Sequence, residues 1–178
     1  MSDSAEDLLR SVWDETAGEL ARLVAAMGIA PGRAADVLQE VYLAAWQRRP
    51  AGVERAELRR WLFRVAINRC HLEYRQQTRW QRVLRTIAQF RSTAGGSDKE
   101  TGNAADALCR QEERELVRQA LQRLEPPSRT VLVLRYFAEF DSKEIGRILD
   151  LPDSTVRSQL RAARKQLAGE LKRAGYRE

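Results

Sequence analysis

Asp141-Ser-Lys-Glu144-Ile-Gly-Arg-Ile-Leu149-Asp-Leu-Pro152-Asp-Ser-Thr-Val156-Arg-Ser-Gln-Leu160-Arg-Ala-Ala-Arg164-Lys-Gln-Leu167 holds two helical patterns separated by a break. Asp141, followed three residues later by Glu144, has the form of a capping box, in which a carboxylate accepts the free N–H groups of a helix start. Ile145, Ile148 and Leu149 give the short helix one apolar face. Asp150-Leu151-Pro152 ends it, and a second helix begins near Asp153. At about 100° per residue, Val156, Leu160, Ala163 and Leu167 fall in one narrow stripe. Arg157, Arg161 and Arg164 form a second stripe about a quarter turn away. A short helix, a tight turn and a helix with one packing face and one basic face make a helix-turn-helix.

Working towards the N-terminus, Pro126-Pro127 opens a helix carrying Val131, Leu132, Leu134 and Tyr136, since proline suits a first turn. Before it, Leu108, Leu116, Val117, Ala120, Leu121 and Leu124 mark another helix. Residues 91–103 lack apolar periodicity and are rich in Gly, Ser and Thr, so residues 91–106 read as a flexible linker. About 13 such residues span roughly 20 Å, so the halves are expected to move independently, with contact between them still within reach. The half before the linker reads as three helices: residues 4–27, residues 33–48, and a long one opened by Leu58, Trp61, Leu62, Val65 and Ala66 and running to Phe90. Trp61 reads as core, and Trp46 reads as core in preference to an exposed apolar anchor beside Leu43. No stretch alternates at period two, so the fold is all-α: a domain at 1–90, the linker at 91–106 and a helix-turn-helix domain at 107–178.

The 178 residues carry a formal charge of +6, unevenly distributed. Residues 1–47 hold 3 basic and 8 acidic side chains, residues 48–92 hold 12 and 3, and residues 93–178 hold 16 and 14. The middle block concentrates positive potential as a phosphate backbone or an anionic membrane surface would require. No apolar run approaches the roughly 20 residues of a membrane span, and the acidic start is unlike a signal peptide, so a cytoplasmic protein is expected. Cys70 and Cys109 lack metal-ligand spacing and suit a reducing compartment.

Three segments resemble those of a known family. Asp36-Val-Leu-Gln-Glu-Val-Tyr-Leu-Ala-Ala-Trp46 is similar to the segment that docks on the clamp helices of RNA polymerase in extracytoplasmic-function sigma factors. Leu58-Arg-Arg-Trp-Leu-Phe-Arg-Val-Ala-Ile-Asn68 resembles their reader of the promoter minus-ten element. Leu124-Glu-Pro-Pro-Ser-Arg-Thr-Val-Leu-Val-Leu-Arg-Tyr-Phe137, with Glu144-Ile145 and Leu151-Pro-Asp-Ser-Thr-Val-Arg-Ser158, resembles their minus-thirty-five domain. The chain departs from the family at Leu58, where an aromatic residue is usual, at Leu72, where an Asp often stands, and at Ala162, a position often basic.

The resemblance implies a promoter-specificity subunit that binds core RNA polymerase and promoter DNA and is controlled by an anti-sigma factor. It assigns polymerase docking to Asp36, Gln39, Glu40 and Leu43, and minus-ten contact to Arg59, Arg60, Arg64, Asn68, Arg75 and Arg79. The loop from Arg48 to Glu57 is where the family captures an extruded base. For Asn68, a base-edge contact and the closing of a buried backbone gap are both open. In the last helix, Arg157, Ser158 and Arg161 are placed near base edges, and Thr155, Arg164 and Lys165 near phosphates.

Two other classes make different demands on the sequence. A stand-alone helix-turn-helix regulator needs no polymerase-docking helix. A nucleic-acid-processing enzyme needs a catalytic constellation, yet Asp36 and Glu40 have neither a partner His nor a phosphate-cradling Gly loop, and His71 beside Cys70 lacks the partners of a dyad or a zinc site. The reading is therefore a non-enzyme without cofactor, metal or membrane insertion, in which catalysis belongs to the polymerase.

Overall fold

The computed structural model describes the backbone of residues 2–48, 52–88 and 105–176, and the side chains of residues 6–48, 52–77 and 114–176. The described residues form helices α1 (Ser2–Ala26), α2 (Pro31–Arg48), α3 (Arg55–Ala88), α4 (Ala105–Arg123), α5 (Pro126–Tyr136), α6 (Ser142–Leu149) and α7 (Asp153–Arg173), with no strand among them. Helix α4 starts inside the stretch read as linker, and residues 91–104 lie outside the described residues.

Helices α1, α2 and α3 form the first half. Their helical spacing places Leu9, Val12, Leu20, Leu23 and Val24 of α1 against Val37, Val41 and Ala45 of α2 and Leu62, Ala66, Ile67 and Cys70 of α3, all essentially without exposure. Burying each of the larger aliphatic side chains contributes about 1.5–3 kcal/mol. Gly28 turns α1 into α2 at φ 85°, a left-handed conformation that glycine adopts without a Cβ clash.

In the second half, Pro126 and Pro127 open α5, whose Val131, Leu132, Val133 and Leu134 are buried. The expected capping box is formed at α6: the Asp141 carboxylate accepts from the Glu144 N–H at 2.8 Å, and the Asp141 N–H donates to the Glu144 carboxylate at 3.0 Å. Asp150 ends α6 in the left-handed region, and the Leu151 N–H returns to the Gly146 carbonyl at 2.9 Å. The turn is tight enough that a Cβ on Gly146 would sit 2.6 Å from the Leu151 carbonyl oxygen, so only glycine fits there. Val156, Leu160 and Ala163 of α7 pack inward, as their spacing predicts.

The tether reading does not foretell how closely the halves associate, for they share one continuous core. Phe63 of α3 meets Phe140 edge-on, ring centroids 4.9 Å apart. Arg129 of α5 is buried and donates to four carbonyls, those of Leu121 (2.9 Å), Gln122 (2.6 Å), Leu124 (3.1 Å) and, in the other half, Met27 (2.7 Å). Two of these belong to the last turn of α4, where carbonyls lack helical partners and the helix dipole favours a cation. Burial pulls the Arg129 pKa down, with Tyr74 and Glu125 acting in the opposite sense. His71 of α3 also reaches across, its Nε2 lying 2.9 Å from Thr130 Oγ1.

Candidate polymerase and nucleic-acid interfaces

Helix α2 buries Val37, Val41 and Ala45, which leaves Asp36, Gln39 and Leu43 on its solvent side with Glu40 half-buried beside them. Leu43 is 46% exposed and Trp46, three residues on, is 42% exposed, so the face combines carboxylates with an apolar surface. The reading of Trp46 as core is corrected: its ring stacks on Tyr42, which in turn meets Trp13, and the residue is still 42% exposed. Trp61 is half-buried against the core, as read.

The carboxylates are held by guanidiniums from both helices. Arg33 donates to Asp36 at 2.9 Å, Glu40 at 3.0 Å and Glu73 at 2.7 Å, and Arg69 pairs with Glu40 at 3.3 Å. Glu73, followed by Asp36, raises the Arg33 pKa above its ordinary value. The network ties α2 to α3. Its i, i+3 part was visible in Arg33 and Asp36, whereas Glu73 is 40 residues away from Arg33.

On α3 the basic residues do not share a single face. Arg60 lines an open cleft of about 220 Å³ with Glu57, Trp61, Arg64 and Arg147. Arg59 donates to Glu19 at 2.6 Å and to the Ala138 carbonyl at 3.3 Å, and its guanidinium lies 4.3 Å from the Phe140 ring centroid. Arg64 donates through Nε to the Ile148 carbonyl at 2.8 Å and through Nη2 to the Arg147 carbonyl. Arg69 turns back to Glu40 instead of outward. Asn68 is exposed, which removes the reading of an Asn closing a buried gap, and Arg75 is exposed with its Nε 3.4 Å from the His71 carbonyl. Arg79 lies in α3 with its side chain outside the described residues, as do residues 49–51 of the loop after α2.

Helix α7 presents Arg157, Ser158, Arg161, Arg164 and Lys165 to solvent, with Thr155 half-buried beside them. Arg157 pairs with Asp153 at 3.2 Å and is still 66% exposed, Ser158 donates to the Thr155 carbonyl at 2.8 Å, and Arg164 lies 5.7 Å from the Tyr136 ring centroid. Arg135, Asp141, Ser142, Arg157, Leu160, Arg161 and Arg164 line one open groove, four arginines against one carboxylate, so Arg135 and Ser142 join the residues singled out from sequence. A basic groove along an exposed helix, backed by a packed apolar face, has the form of a phosphate-binding recognition helix.

Among the described residues no group of His, Cys, Asp and Glu could hold a metal ion, and no helix is long and apolar enough to cross a membrane. Cys70 is buried, and burial pushes its thiol pKa up to about 12, with Glu73 adding to the shift, which leaves it without nucleophilic character.

Known proteins align with this arrangement along most of the chain. Residues 12–81 match the family described as Sigma-70 region 2, and residues 114–167 match Sigma-70, region 4. The ECF RNA polymerase sigma factor SigL of Mycobacterium tuberculosis is 29% identical over 169 residues, covering 94% of this chain and 91% of that protein. The ECF RNA polymerase sigma-E factor of Escherichia coli (strain K12) is 26% identical over 138 residues, covering 76% and 72%. Two solved structures share the fold. CnrH in complex with the cytosolic domain of CnrY has a TM-score of 0.60 at 23% identity, covering 92% of this chain and 87% of that one. The sigma factor RpoE in complex with the anti-sigma factor NepR from Bartonella quintana has a TM-score of 0.62 at 19% identity, covering 97% and 98%. With a match to Sigma-70 region 2 followed by one to region 4, and with these relatives, the chain belongs to the extracytoplasmic-function class of the sigma-70 family of RNA polymerase sigma factors.

Proposed function

We propose that residues 1–90 bind core RNA polymerase through Asp36, Gln39, Glu40 and Leu43 and contact the melted minus-ten strand through Arg59, Arg60, Arg64, Asn68, Arg75 and Arg79. The unit at 107–178 reads duplex minus-thirty-five DNA, with Arg157, Ser158 and Arg161 at base edges and Thr155, Arg164 and Lys165 at phosphates. The observation that carries this division is the exposed basic face of α7 against its buried apolar stripe, matched in the first half by an exposed carboxylate and apolar face on α2. The first face suits phosphate and guanine, the second a basic protein surface.

The chain acts where its polymerase acts, in the cytoplasm, and leaves catalysis to that enzyme. A solved neighbour bound to an anti-sigma factor supports inhibition by such a partner here as well. The division is tested by measuring binding to core enzyme and to duplex minus-thirty-five DNA separately. Asp36→Lys is expected to weaken only the first and Arg157→Ala only the second. Loss of both bindings in both variants, with the fold intact, contradicts the division.

A further inference from the structure

An apolar groove of about 460 Å³ opens where α1 meets α4. We propose that it binds a small amphipathic anion, a single long-chain carboxylate whose alkyl chain lies in the groove and whose head group meets the guanidiniums that line it. The groove shares no residue with the polymerase and DNA assignments above, so the site stands independently of them.

The lining suits both parts of such a molecule. Ala26 of α1 and Leu121 of α4 are buried beneath it, and Val117 of α4 is half-buried. Phe137, just beyond α5, and Tyr176, beyond α7, also line the groove and are 37% and 40% exposed, so apolar surface stays open to water there. The charged residues among those lining the groove are Arg22, Arg114 and Arg118, three cations with no carboxylate beside them. Arg118 is fixed by the Glu115 carboxylate, to which its Nε and Nη2 donate at 2.8 and 2.7 Å. Arg22 and Arg114 are exposed and enter no ion pair among the described residues. The methylene stems of such arginines extend an apolar wall while their guanidiniums reach the water. A cavity of a few hundred cubic ångströms, mostly apolar and with a few polar groups that fix orientation, has the form of a small-ligand site. Here every charged group is positive, so the complementary head group is an anion.

Other occupants fit this lining less well. A second copy seated face to face about a twofold axis would set the same arginines against each other. The chain's own residues 91–104 contain no apolar side chain larger than alanine and so have nothing to fill the groove. A neutral apolar ligand would leave three guanidiniums without a partner.

Isothermal titration calorimetry of the full chain with sodium dodecanoate and sodium tetradecanoate, each kept below its critical micelle concentration, tests the site. One saturable site per chain is expected, with a dissociation constant for dodecanoate of about 1 mM or tighter. Burying two further methylenes should make tetradecanoate roughly tenfold tighter. Dodecyltrimethylammonium, which carries the same alkyl chain on a cation, should not bind over this range. Reversing the exposed pair, Arg22→Glu with Arg114→Glu, should weaken dodecanoate about tenfold. Ala25→Phe places a ring in the groove from an exposed position on α1 and should abolish binding with the fold kept. Circular dichroism through each titration should show no loss of helix. The proposal is overturned by the absence of saturable binding, by equal binding of the cation, or by unchanged affinity in either variant. Heat that appears only as helicity is lost would be unfolding by the amphiphile and overturns it too. Adsorption of the chain to phosphatidylglycerol vesicles without binding of monomeric dodecanoate would make the groove a membrane contact and overturn it likewise.

Discussion

Replacing Arg129 with Leu probes the joint between the halves most severely. The side chain is only 3% exposed and makes four charge-assisted hydrogen bonds to carbonyls at 2.6–3.1 Å. Hydrogen bonds to a charged group contribute about 1.5–3 kcal/mol each, but burying the guanidinium costs much of the sum. Leucine leaves these carbonyls without that donor, at about 1–3 kcal/mol for each acceptor left unsatisfied, while the cost of burying the guanidinium is recovered, so the net loss expected is about 3–5 kcal/mol. In a chain of this length each kcal/mol moves the melting temperature by about 2–4 °C, so Tm should fall by about 6–20 °C. Arg129→Lys keeps the charge but cannot reach all four acceptors, and should lose roughly half as much. Urea denaturation followed by far-UV circular dichroism, with calorimetry for Tm, measures both variants. A loss below about 1 kcal/mol for Arg129→Leu, the size of an ordinary surface change, would refute the reasoning, because the α4 carbonyls would then be satisfied without the guanidinium.

Three further outcomes follow from the geometry. Asp36→Lys should weaken binding to core polymerase at least about tenfold through like-charge repulsion while costing less than about 1 kcal/mol of stability, since its pair with Arg33 is exposed; a core pull-down and a thermal melt check both. Gly146→Ala should cost about 1–3 kcal/mol and weaken duplex binding, because the new methyl meets the Leu151 carbonyl at 2.6 Å; a melt at the stability of the parent protein would exclude the clash. Burial, followed by Arg75 and Arg129, lowers the His71 pKa in the fold, so the unfolded chain takes up its proton first. The stability contributed by neutral His71 is complete above the ordinary value of 6.5 and is lost as pH falls from there through the depressed folded value. His71→Gln should flatten this part of the stability–pH profile in urea titrations, and an unchanged slope would assign it to other groups.

Much of the fold was legible because helical periodicity and its punctuation are local. The capping box at Asp141, the proline start of α5 and the apolar stripe of Val156, Leu160 and Ala163 all stand where the spacing places them. The α7 residues could be assigned to a surface because their stripe is opposed to a packing stripe on the same helix. What a face packs against is not local. Phe63 and Phe140 lie 77 positions apart and nothing in either neighbourhood pairs them, so the shared core went unread. Arg59 and Arg64 read as minus-ten contacts because an arginine-rich helix advertises charge, not the carbonyls that a distant segment will offer it. Trp46 read as core by size and spacing, yet α2 is covered on one side only, and its ring stays 42% exposed. Arg129 has no local signature, because its acceptors come from the end of α4 and the end of α1.

The central claim is that this chain confers promoter recognition on a polymerase. Reconstituted transcription with sigma-free core enzyme and a randomised promoter library tests it most directly. Defined transcripts should arise only when the chain is added. Their templates should share two sequence elements upstream of the start, and Arg157→Ala should relax one position of the distal element at a cost of about 1–3 kcal/mol in discrimination. Duplex binding by the chain alone, with no chain-dependent transcript from any template, would contradict it.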